Sequence, residues 1–191
     1  MQKTYKIVLS VIISICFIQI SFGQFSIPEK PTLQTSVYDY VKLFSGSQKT
    51  GLEQKLIQYS DSTSTQIVLI TIETTKGENI DILAANWGHK WGIGQEKEDN
   101  GILVLLALND KKIAIQTGYG IEHVLTDALS KRVIENIIIP EFRAGSFYNG
   151  LDKGADAIFS ALNGEFNEDR DFSKETGPPI ELIIIIIFII I

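Results

Sequence analysis

One pair of segments does most to limit what this chain can fold into. Gly101 to Leu108 is apolar without a break, and Lys112 to Thr117 alternates after a short Asn109-Asp110-Lys111 turn. Continuous apolar character suits a strand covered on both faces, and alternation suits one with a wetter side. The two are expected to form an antiparallel hairpin. Antiparallel pairing also gathers what lies outside it: Asp99-Asn100 ahead of the first strand and Gly118-Tyr119-Gly120-Ile121-Glu122 behind the second. Glycine lets such loops approach closely, so Asp99, Asn100 and Glu122 are expected at one edge of the sheet.

The flanking segments supply the other layers. Ser45-Gly46-Ser47-Gln48 has the form of a capping box, with Leu52, Leu56 and Tyr59 at helical spacing behind it. Gln66 to Glu73 holds the consecutive Ile67-Val68-Leu69-Ile70 of a strand buried on both faces. Ile80, Leu83, Ala84, Trp87 and Trp91 mark one face of a second helix. Thr126 can cap a third, with Leu129, Val133, Ile134 and Ile137 inward and Pro140 expected to stop it. Phe147 to Leu162 reads as a fourth helix, ended by Gly164. Strand, helix and strand in this order imply a right-handed parallel crossover, after which the hairpin returns antiparallel. The expected fold class is α/β: a three-layer α/β/α sandwich with a small mixed β-sheet flanked by helices.

The ends have a different character. Residues 1–23 read as a secretory signal: Lys3 and Lys6, an apolar run from Ile7 to Ile18, then Ser21-Phe22-Gly23 before the expected cleavage. The expected location is therefore across the cytoplasmic membrane, in a periplasm. Residues 24–36, with Pro28 and Pro31, read as a linker to a domain at 37–165. Residues 166–179 are charged and end in Gly-Pro-Pro, a second linker. Residues 180–191 carry only Glu181 as a polar residue, and twelve helical residues reach about 18 Å against a hydrocarbon core of about 30 Å. A membrane-directed segment cut short is expected there.

Composition excludes several chemistries. Cys16, the only cysteine, lies in the leader, so disulfides, cysteine nucleophiles and Cys-ligated zinc are excluded from the mature chain. Removing Lys3 and Lys6 with the leader takes the formal charge from −6 to −8. No basic patch with interleaved aromatics survives, which argues against nucleic acid. Gly118-Tyr119-Gly120 has His123 where a dinucleotide fingerprint needs its third glycine, and it follows a hairpin strand; no nucleotide is expected. There is no Gly-x-Ser-x-Gly elbow for a serine hydrolase.

What remains is oxygen chemistry. Asp99, Asn100, Glu122 and Asp127 are candidate ligands for a hard cation, which takes six to eight oxygens including loop carbonyls. Ca²⁺ is the first expectation and Mg²⁺ the second. Each residue also has a plain structural reading: Asp127 in a helix first turn, Asn100-Gly101 as a turn, Glu122 as a surface charge. Asp39, in Val37-Tyr38-Asp39-Tyr40-Val41, is a fifth candidate ligand, ranked below them because it can equally be a turn former or cap. His89 and His123 are expected at the surface. Arg143 could bind an anion or pair with a nearby acid.

Taken together, the segments resemble the TPM-domain family, which includes a thylakoid-lumen protein implicated in photosystem II repair. The matching pieces are Val37-Tyr38-Asp39, Leu43-Phe44-Ser45, Trp91-Gly92-Ile93-Gly94 and Asp99-Asn100-Gly101-Ile102-Leu103. They continue through Gly118-Tyr119-Gly120-Ile121-Glu122, Leu125-Thr126-Asp127, Ile139-Pro140-Glu141-Phe142-Arg143 and Gly150. The resemblance implies an α/β/α sandwich outside the cytoplasm, commonly beside a transmembrane segment. It also implies acid phosphatase activity in the plant branch and metal-binding or accessory roles elsewhere.

Three functions are thus in view. The first is a divalent-cation-binding accessory module, expected as a monomer, that presents an ordered surface to a membrane protein complex or other protein. The second is a metal-assisted acid phosphatase acting on phosphate esters with the same carboxylates. The third is a metal-free scaffold.

Overall fold

The computed structural model describes residues 25–95 and 97–164; the expected leader, the second linker and the apolar tail lie outside them. Four strands form one mixed sheet in the order β1 (Val37–Asp39), β2 (Gln66–Ile72), β3 (Gly101–Ala107), β4 (Lys112–Thr117). β1 and β2 are parallel, as are β2 and β3, and β4 returns antiparallel with Ile102 opposite Thr117. The sequence pattern announces three of these strands. β1 is three residues long, too short to show a period, and emerges only through its pairing with β2.

Alternation sorts the sheet residues onto two faces. Val37, Ile67, Leu69, Ile102, Val104 and Ile115 meet α1 (Gly46–Thr63), α3 (Asp127–Val133) and α5 (Phe147–Leu162) on one side. Tyr38, Val68, Ile70, Leu103 and Leu105 meet α2 (Ile80–Trp91) on the other. Fully burying each such aliphatic side chain contributes about 1.5–3 kcal/mol, which makes this sandwich the main source of stability. Strand order advances in one direction while α1 and α2 cover opposite faces. The two crossovers are therefore of opposite hand, and one of them departs from the usual right-handed rule.

The helix starts follow the sequence. Ser45 caps α1 in a complete capping box with Gln48, Asn79 caps α2 through Asp81 and Ile82, and Thr126 caps α3 through Leu129. Pro140 does not stop the third helix as expected. The helix widens into a π turn at Ile134–Ile138, where the Ile139 N–H reaches the Ile134 carbonyl, and continues as α4 (Ile139–Arg143). Pro140 then falls in the first turn of α4, where a missing N–H costs little. Residues 25–36 carry no helix or strand. Phe25 and Ile27 nonetheless pack on the α2 face, and the Trp91 indole N–H donates to the Pro28 carbonyl at 2.9 Å. Among the described residues no helix is long and apolar enough to cross a membrane.

Candidate functional site

The loops at the open end of the β3–β4 hairpin meet backbone to backbone. A Cβ on Gly101 would lie 2.0 Å from the Ile93 carbonyl oxygen, and one on Gly120 would lie 1.7 Å from that of Glu98. Only glycine fits at either crossing. The Gly120 N–H donates to the Asp99 carbonyl at 3.0 Å, and the Tyr119 N–H donates to Asp99 Oδ2 at 3.1 Å. These bonds hold Asp99 in the left-handed region at φ 44°, which a residue with a side chain seldom adopts.

Behind that crossing lies a cleft of about 520 Å³ between α2 and β4. Asp99, Glu122 and Asp127 all line it, with Asn86, His89 and Gln116 on the facing elements. Asp127 opens α3 immediately after the Thr126 cap, so a helix N-terminus stands beside it. Glu122 and Asp127 are exposed and Asp99 is half-buried. No lysine or arginine lines the cleft among the described residues. Tyr119 stands at its mouth, 86 % exposed. Sequence reasoning passed over Asn86 and Gln116, because neither belongs to a motif; only the packing of α2 on β4 brings them here.

Two of the five candidate ligands are committed elsewhere. Asn100 is buried: its Oδ1 accepts from the Gln95 N–H at 3.0 Å and its Nδ2 donates to the Ser64 carbonyl at 2.8 Å. Its amide ties the loop before β3 to the end of α1 and does not line the cleft. Asp39 sits at the opposite end of the sheet, level with Thr71, which pairs at the far end of β2 from Gln66 and Gly101. There it accepts from the Thr71 hydroxyl at 2.6 Å and from the N–H groups of Leu43 and Phe44, each at 3.0 Å. His89 is exposed on α2 and lines the cleft; His123 is exposed and does not.

The three remaining carboxylates share one cleft without converging on a point. Among the described residues, no three His, Cys, Asp or Glu side chains stand close enough to hold a metal ion together. A cation in this cleft would therefore rest on fewer carboxylates, with amide, carbonyl and water oxygens filling the rest of its shell.

A mixed sheet between two helical layers makes this an α/β sandwich domain. The chain belongs to the TPM domain family, which it matches over residues 37–161. It is similar in structure to the N-terminal domain of a protein from P. gingivalis, solved by NMR. The two share 30 % identity, with a TM-score of 0.63 and coverage of 68 % of this chain and 83 % of that one. The BA42 protein of the psychrophilic bacterium Bizionia argentinensis shares the fold at 24 % identity and TM-score 0.57, over 71 % of this chain and 92 % of its own. The N-terminal domain of a Corynebacterium glutamicum protein does so at 18 % identity and TM-score 0.53, over 77 % and 90 %. No curated protein matches the chain.

Proposed function

We propose that this TPM domain works outside the cytoplasm as a divalent-cation-binding accessory module, with Ca²⁺ as its first ligand and Mg²⁺ as its second. The observation that carries the reading is the cleft lined by Asp99, Glu122 and Asp127 with no lysine or arginine in its walls among the described residues. A cation there would bridge the loop before β3 and the loop after β4. It would thereby order the surface around the exposed Tyr119, the aromatic residue a protein partner would meet first. Few carboxylate ligands imply weak binding, with a dissociation constant on the order of 10⁻⁴–10⁻³ M.

A phosphatase reading receives less support from the same cleft. Phosphate recognition usually employs arginine or lysine, and here any phosphate would depend on the cation alone. The deciding experiment is an NMR titration of the ¹⁵N-labelled protein with Ca²⁺, then Mg²⁺. Saturable shifts confined to residues 92–101 and 118–127 support the module. Absence of any localised shift at millimolar metal removes the cation from both this reading and the phosphatase one, and leaves the scaffold.

A further inference from the structure

A second cleft, of about 710 Å³, opens at the other end of the sheet and shares no lining residue with the acid cleft. The carboxyl ends of β1, β2 and β3 form its floor, which is where open α/β sheets usually place ligands. Its volume falls in the range of small-molecule sites. Two accessible rings line it, Phe25 and Tyr40, with centroids 5.6 and 6.4 Å from that of Trp87, which is itself fully buried. Tyr40 is 49 % exposed, a large apolar surface left at the rim.

Charge on the rim narrows the chemistry. Lys76 and Glu73 both line the cleft, and neither forms an ion pair among the described residues. The Lys76 ammonium lies 5.8 Å from the Phe25 ring centroid, and among the described residues the Glu73 carboxylate accepts only from the Asn109 side-chain amide, at 3.3 Å. A lysine and a glutamate on one rim that do not pair with each other leave one cation and one anion for a ligand.

We infer that this cleft binds a zwitterion with an aromatic body, the chemistry of a free aromatic amino acid. The ring would stack on Phe25 and Tyr40, the carboxylate would face Lys76 and the ammonium would face Glu73. The site is independent of the cation cleft and stands whether or not that cleft binds metal.

The test is a ¹⁵N NMR titration of the whole chain with phenylalanine, following the two indole N–H resonances and residues 72–76. Three probes run beside it: N-acetyl-phenylalanine, phenylalaninamide and N-acetyl-phenylalaninamide. Phenylalanine is expected to saturate with a dissociation constant on the order of 1 mM, the reach of so small a ligand. Lys76→Gln and Glu73→Gln, both at exposed positions, are expected to weaken it about threefold each. Asp127→Asn, at the acid cleft, is expected to leave it unchanged. Equal binding of the neutral N-acetyl-phenylalaninamide would overturn the zwitterion assignment and reduce the cleft to an apolar groove. Absence of a saturable shift up to about 20 mM, well above the expected constant, would overturn the site itself.

Discussion

Two residues with similar side chains show how position decides what an oxygen is for. Asp99 and Asn100 are neighbours, yet only Asp99 reaches the cleft; Asn100 turns inward and spends both ends of its amide on Gln95 and Ser64. Asp39 is likewise structural, joining the end of β1 to the start of α1 and to β2. Burial alone would raise its pKa. The Thr71 hydroxyl, the Leu43 and Phe44 N–H groups and the charge of Lys49 outweigh that and hold it below the ordinary carboxylate value. A carboxyl depressed on folding contributes stability that is fully present above its unfolded pKa of about 3.9 and lost as pH falls through the folded value. Asp39→Asn should therefore be less stable than the parent at neutral pH, with the gap closing below about pH 4. Urea unfolding of both proteins from neutral pH down to about pH 3 measures this. A gap that persists unchanged into acid would mean the charge of Asp39 contributes nothing.

At the scale of elements, α5 packs closely on the π turn and α4. A Cβ on Gly150 would lie 2.7 Å from the Phe142 ring and 3.0 Å from the Ile138 carbonyl oxygen. On Gly154 it would meet only the Ile138 side chain, also at 2.7 Å. A ring and a backbone oxygen cannot yield as a flexible isoleucine tip can, while alanine gains about 1 kcal/mol of helix propensity at either place. Gly150→Ala is expected to destabilise by about 1–3 kcal/mol and Gly154→Ala by clearly less, as read from denaturant midpoints. Equal effects would mean that Phe142 moves aside freely. What was legible in the sequence follows the same division between local and distant causes. The caps at Ser45 and Thr126 and the hairpin at 101–117 are written in a few consecutive residues, and the hairpin in turn carries Asp99 and Glu122 to the walls of one cleft. The π turn that carries the helix past Pro140 depends on packing against α5, and β1 exists only through β2. The inward turn of Asn100 depends on Ser64, and the aromatic cleft combines residues from 25 to 109, so neither leaves a local pattern.

For the whole molecule the question is whether bound cation and folding stability are linked. The chain has a formal charge of −6, so any salt relieves some self-repulsion, and a bare rise in melting temperature with Ca²⁺ would prove little. Specific binding has a different signature. With a dissociation constant on the order of 1 mM, about 10 mM Ca²⁺ stabilises the folded state by about 1.4 kcal/mol, or roughly 4 °C for a domain of this size. Screening from the same addition is reproduced by NaCl at matched ionic strength, about 30 mM, and should give only a fraction of that rise. The double variant Asp99→Asn with Asp127→Asn should keep its fold, because both side chains lie at the cleft and outside the hydrophobic core. It should also retain the NaCl response and lose the excess produced by Ca²⁺. If matched NaCl raises the parent's melting temperature as far as Ca²⁺ does, the acids act only as surface charge. If the variant unfolds in metal-free buffer, Asp99 is needed for the loop crossing at Tyr119 and Gly120 first, and for any cation second.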